Sequence, residues 1–137
     1  MSMPFFTGID HAAISCRDVR KAGAWYCKHL GMKIIADNGA EPPSLLVGYD
    51  DGVCGGAMVE LMPVKDAGLD PAEQGRFQPG LRHLALRVSD FDAAYAQLKA
   101  GGVKFLFEPV AAIGGGGRIV SFRDLEGNEL QIVERKA

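Results

Sequence analysis

Two of the three histidines in this 137-residue chain, His11 and His83, stand at equivalent points of a pattern that is written twice. The stretches GIDHAAISCRDV (8–19) and LRHLALRVSDF (81–91) each set the histidine in a short apolar run and reach an aspartate, Asp18 or Asp90, seven positions later. Further along each half, VEL (59–61) and LQI (130–132) put Glu60 and Gln131 at matching places. Two imidazoles, one carboxylate and one amide oxygen are a suitable donor set for a divalent first-row metal, with positions left open for water or substrate. Mixed nitrogen and oxygen donors admit nickel, zinc, manganese or iron(II) alike. Of the two oxygen donors only Glu60 can take up a proton, because the Gln131 amide cannot. Any one of the four alone is ordinarily a structural or solvated residue. Their recurrence in register is what singles them out.

The elements that must position them repeat as well. A displacement of 72 positions lays His11 on His83, Asp18 on Asp90, Val19 on Phe91, Ala22 on Ala94 and Tyr26 on Leu98. One position fewer lays Gly31 on Gly102, Lys33 on Lys104 and Glu60 on Gln131. The first run of each half alternates with the period of a strand. Asp18 and Asp90 sit where a helix N-cap belongs, apolar residues follow at helical spacing, and Gly31 and Gly102 stop the helices. Period-two or short apolar runs come next: MKIIA, SLLVGY and AMVELMPV in the first half, VKFLF, RIVSF and ELQIVE in the second. The expectation is strand, helix and three strands, twice. Strand parity sends Ala12, Ile14 and Cys16, like Leu84, Leu86 and Val88, toward the helices, and turns His11, His83, Glu60 and Gln131 to the opposite face.

At 137 residues with 47% hydrophobic and 23% charged, the chain fits a single domain. Repeat one covers about 5–64, a linker with Pro71 and Pro79 covers 65–79, and repeat two covers about 80–135. A net charge of -2 offers no basic field for nucleic acid or an anionic membrane. No run approaches the ~20 apolar residues that span a bilayer, and the start of the chain has no secretory pattern, so a cytoplasmic location is expected. Cys16, Cys27 and Cys54 form no Cys-x-x-Cys pair and suggest reduced thiols. The run Gly114 to Gly117 precedes a strand instead of a helix, so it reads as a flexible loop and not a phosphate cradle.

The segments DHAAISCRDVRKAGAWYCKHLGMKI, VELMPV, RHLALRVSDFDAAYAQLKAGGV and FRDLEGNELQIVE resemble the vicinal oxygen chelate superfamily. That superfamily includes glyoxalase I, methylmalonyl-CoA epimerase, extradiol dioxygenases, and fosfomycin- and bleomycin-resistance proteins. The likeness covers about residues 5–135. It implies an α+β fold of two βαβββ repeats whose mixed sheets curl into a metal-binding cup, usually in a homodimer. Carried over position by position, the metal ligands match His11, Glu60, His83 and Gln131. The departure is Gln131, where glyoxalase I has a glutamate tied to proton shuttling. Glu129 lies one pleat from that position, ~6.6 Å along a strand, and Glu134 has the opposite parity.

The resemblance implies a metal-dependent lyase or isomerase of the glyoxalase type, acting on a small substrate with vicinal oxygens. The ion would stabilise an enediolate as a Lewis acid while Glu60 moves the proton. Two alternatives come with the superfamily: an antibiotic-sequestering protein of the bleomycin-resistance kind, and an extradiol-type dioxygenase. Arg87 shares the face of His83 and is a candidate to bind an anionic substrate. Trp25, Phe105 and Phe107 read as core, and His29 suits the end of a helix.

Overall fold

A computed structural model describes residues 5, 7–50, 56–66, 68 and 70–136. Cys54 falls outside the described residues, and Cys16 and Cys27 are free thiols. The chain divides into two compact units, residues 1–67 and 68–137.

In the first unit, β1 (His11–Cys16) leads into α1 (Val19–Leu30), followed by β2 (Lys33–Asp37), β3 (Leu45–Gly48) and β4 (Met58–Pro63). The strands form one mixed sheet in the order β1-β4-β3-β2, with β1 parallel to β4 and the other pairs antiparallel. The second unit repeats the plan with β5 (His83–Arg87), α2 (Phe91–Ala100), β6 (Val110–Ala111), β7 (Arg118–Arg123) and β8 (Glu129–Val133). Its sheet order is β5-β8-β7-β6, again with the first strand parallel to the last. Each half is a βαβββ module, as the duplicated pattern predicts.

Local chemistry accounts for the helix boundaries. The Asp18 carboxylate accepts from the Lys21 amide at 3.0 Å, and Asp90 accepts from the Ala93 amide at 3.0 Å, so both N-caps stand where expected. Gly31 ends α1 in the left-handed region at φ 68°. At α2 the closure is a Schellman motif: Gly102, at φ 91°, donates to the Lys99 carbonyl and Val103 donates to the Leu98 carbonyl. The cap residue itself is Gly101, one position before the glycine expected to stop the helix.

The core of each unit lies between its helix and one face of its sheet. Val19, Ala22 and Tyr26 of α1 are buried with Leu45, Val47, Val59 and Leu61. Phe91 and Leu98 of α2 are buried with Val120, Phe122, Leu130 and Ile132. Strand parity then leaves the other face of the second sheet to His83, Ala85 and Arg87 from β5, Glu129, Gln131 and Val133 from β8, and Ile119, Ser121 and Arg123 from β7, as their cross-strand registers require.

One expected strand is different. VKFLF forms a single bridge, Phe105 to Phe122, and Leu106 donates to the Ser121 carbonyl at 2.9 Å. Regular pairing resumes only at Val110, after Pro109, which has no amide to offer a ladder. The apolar pattern of the segment is used in side-chain packing: the Phe105 ring lies 4.4 Å from Tyr95 and 5.9 Å from Phe122 by ring centroids. The glycine run tips the β6–β7 hairpin, which closes by donation from Ala112 to the Gly117 carbonyl at 2.9 Å.

Candidate metal and ligand site

His11 opens β1 and Glu60 lies in β4, where Glu60 pairs with Ala13. The two side chains meet on the face away from α1, with His11 Nε2 3.4 Å from Glu60 Oε1. On its other side the imidazole is held by its sequence neighbour, His11 Nδ1 lying 2.7 Å from Asp10 Oδ2. A carboxylate accepting from Nδ1–H fixes the tautomer whose Nε2 lone pair is free to bind a cation. The Asp10 hydrogen bond also raises the His11 pKa above its ordinary value, and Glu60 adds to the rise.

Two donors bound to one ion at about 2.1 Å in a tetrahedral shell stand about 3.4 Å apart. The His11 and Glu60 pair therefore has a donor separation that suits a shared cation. Among the described residues no three His, Cys, Asp or Glu side chains are grouped to hold a metal ion.

In the second unit β8 is delivered by the turn DLEGN. The Asp124 carboxylate accepts from the amides of Glu126 and Asn128, each at 2.9 Å, and Gly127 takes φ 95°. Gln131 follows as a buried residue, 7% exposed, and among the described residues its amide has no hydrogen-bond partner. Neither ring nitrogen of His83 is hydrogen-bonded among the described residues. Both side chains are thus uncommitted polar groups on the same face, and both line one cleft of about 550 Å³ together with Glu129, Phe107, Ile119, Arg76 and Arg82.

Glu129 supplies what position 131 lacks, an acid, but it is already engaged. Arg76 grips it with two hydrogen bonds, 2.7 and 2.8 Å, and the Ser121 hydroxyl donates a third at 2.8 Å. The Arg76 hydrogen bonds hold its carboxyl below the usual carboxylate range, against the opposing effect of burial. It serves as a fixed anion beside His83 and is a poor proton acceptor. Arg76 comes from the inter-repeat segment, and nothing in its local sequence marks it. The equivalent of Asp10 in this half is Arg82, so the charge next to the histidine is reversed between the halves.

Arg87 lies on the same open face as His83 but outside the cleft, and among the described residues it makes no hydrogen bond or ion pair. Phe107, expected in the core, lines the cleft, with the Arg76 guanidinium 5.3 Å from its ring centroid. Trp25 packs at the end of α1 against Tyr26 and His29. Among the described residues no helix is long and apolar enough to cross a membrane.

Comparison with known proteins agrees with this architecture. The uncharacterized protein YwkD of Bacillus subtilis (strain 168) is 33% identical over 97 residues, 70% of this chain and 73% of the relative. A glyoxalase family protein from Enterococcus faecalis has a similar structure, with a TM-score of 0.73 at 22% identity, covering 95% of this chain and 99% of that one. TnmS3, an antibiotic binding protein from Streptomyces sp. CB03234, superposes with a TM-score of 0.69 at 22% identity, covering 96% and 98%. Residues 8–132 match the family model for the Glyoxalase/Bleomycin resistance protein/Dioxygenase superfamily, so the chain belongs to that superfamily, the one that includes the vicinal oxygen chelate enzymes.

Proposed function

We propose that the chain is a metal-dependent lyase or isomerase of the glyoxalase type, acting on a small substrate with vicinal oxygens. The observation that carries this reading is the Asp10, His11, Glu60 arrangement: an imidazole whose Nδ1 is held at 2.7 Å and whose Nε2 stands 3.4 Å from a carboxylate. The donor chemistry of His11, Glu60, His83 and Gln131 fits a divalent ion such as nickel, zinc, manganese or iron(II). When bound, the ion supplies Lewis acidity toward two neighbouring substrate oxygens. Asp10 holds the His11 ring in one tautomer and orientation. Glu60 accepts the proton from the substrate carbon at a carboxylate oxygen and returns it to the neighbouring carbon. Gln131 offers its amide oxygen and no base, so proton movement runs through the first half alone.

The partners in this reading are a small-molecule substrate and a second copy of the chain. Ligand sequestration without turnover is a second reading, favoured by the aromatic lining of the second-unit cleft and by the likeness to an antibiotic binding protein. Metal analysis of protein purified without chelators separates the two. Stoichiometric ion, lost in His11→Ala, is expected; protein that neither retains an ion nor takes one up on addition would end the lyase reading.

A further inference from the structure

The second-unit cleft carries a charge that no acidic side chain pairs with among the described residues. Arg82 donates to the carbonyls of Leu81 and Gly75, each at 2.9 Å, and to the Gln74 amide oxygen at 3.3 Å. All three acceptors are neutral. A guanidinium has five N–H donors, so two remain for a ligand, and the positive charge stays whole. The neighbouring Arg76 is neutralised by Glu129. The arginines and the carboxylate that line the cleft, Arg76, Arg82 and Glu129, sum to one net positive charge.

Apart from these charged groups and the polar side chains of Gln78, His83 and Gln131, the cleft is lined by apolar residues. Phe77, 91% exposed, and Phe107 each hold a ring within 5.4 Å of the Arg76 guanidinium, and Ile119 lies on the sheet face beside them. The volume of about 550 Å³ falls in the range that accepts a small organic ligand. The pinned Arg82 cation, with unused planar donors, lines the same cleft as the two rings beside Arg76, a combination that suits a carboxylate attached to an aromatic ring: the Arg82 guanidinium takes the anion and the rings take the body.

We infer that the second-unit cleft binds a small aromatic monocarboxylate, with Arg82 as the residue that selects for the negative charge. This deepens the proposed function by naming a substrate class and rests on that reading for turnover, but not for binding. His83 and Gln131 line the same cleft, so a ligand held there lies beside two of the four candidate metal donors.

Binding of 3-phenylpropionate to the full-length, chelator-treated protein tests the inference, followed by amide chemical-shift changes and titration calorimetry. The expected result is saturable binding with shifts confined to the cleft. It should be at least tenfold weaker for the neutral 3-phenylpropionamide, at least tenfold weaker for propionate, and weakened by added salt. Arg82→Gln should lower affinity tenfold or more, Arg82→Lys should retain part of it, and Lys99→Gln, on α2 and outside the cleft, should leave it unchanged. Phenyl phosphate run in parallel should bind more weakly than the carboxylate. Equal binding of the acid and its amide, tighter binding of the phosphate, or no binding of the acid would overturn the inference. The acid-to-amide comparison uses the unaltered protein, so it stands even if Arg82→Gln loosens the segment from Gln74 to Arg82. Because the metal is removed beforehand, failure to bind the acid and failure to load an ion are separate results.

Discussion

His11 Nε2 lies 3.4 Å from Glu60 Oε1 while His11 Nδ1 is held 2.7 Å from Asp10 Oδ2, so one imidazole is clamped between two carboxylates of different rank. Asp10 orients and Glu60 shares the donor position. If that division is correct, Asp10→Asn should weaken metal affinity by about 10–100-fold, the usual effect of removing an outer carboxylate from a ligating histidine. Glu60→Gln should retain some affinity through the amide oxygen but abolish proton transfer. Competition with a metal-sensitive dye reads the first, and turnover of a candidate substrate reads the second. An unaltered affinity in Asp10→Asn would remove Asp10 from the site.

The same contact has a consequence for pH. In metal-free protein the His11 pKa is raised, chiefly by Asp10. A group with a raised folded-state pKa favours the fold below its unfolded value, near 6.5, and that contribution fades as pH climbs through the folded value. Imidazole resonances in an NMR titration should place His11 above 6.5, with Asp10→Asn returning it toward the ordinary value. The ring is exposed, so the effect on overall stability should be small.

Arg118 links three elements: it pairs with Asp92 at 3.0 Å and Glu134 at 3.1 Å and lies 4.5 Å over the Phe91 ring. The Glu134 carboxyl is held below its usual range by the Arg118 hydrogen bonds. Here the sign is opposite to that of His11. The contribution is present above the ordinary carboxylate pKa and disappears as pH falls through the lowered one. Urea midpoints measured from pH 6 down to pH 3 should therefore fall less steeply in Glu134→Gln than in the unaltered protein.

Removing Arg76 would leave the Glu129 charge in a site where that residue is 7% exposed. Arg76→Gln should cost about 1–3 kcal/mol in urea unfolding, less than a fully buried pair because the arginine side chain keeps about a third of its surface in water. The double variant Arg76→Gln, Glu129→Gln should recover part of the loss, since no unpaired charge then remains.

Gly117 tests a close approach of two backbones. A Cβ built there would meet the Glu134 carbonyl oxygen at 1.8 Å, which no side-chain adjustment relieves. Gly117→Ala should cost about 3 kcal/mol, the upper end of overpacking effects, or prevent β7 pairing near that point. Gly31→Ala meets no atom within 4 Å and should cost only the left-handed backbone strain, about 1–2 kcal/mol. Denaturant midpoints of the two variants compare them directly.

The repeat, both N-caps and the parity of His11, His83, Glu60 and Gln131 were legible before any coordinates, because periodicity and capping depend on residues within a turn or two of each other. VKFLF shows where such reasoning stops: its apolar pattern is real, but aromatic packing against Tyr95 and Phe122 uses it, and Pro109 delays the ladder to Val110. The Asp10 to His11 bond joins adjacent residues yet could not be read from the sequence, since a neighbour pair meets only in particular rotamers.

By itself the chain of amino acids determined a duplicated βαβββ plan and which side chains turn away from the helices. Only the tertiary structure decided that Glu129 is taken by Arg76, 53 positions away, that Phe107 lines a cleft, and that Arg82 has only neutral hydrogen-bond partners among the described residues. The physical reason is range. Alternation and caps are set by neighbouring backbone geometry, whereas ion pairs and cleft walls depend on which distant segments the fold brings within a few ångströms, and on the rotamers they adopt there.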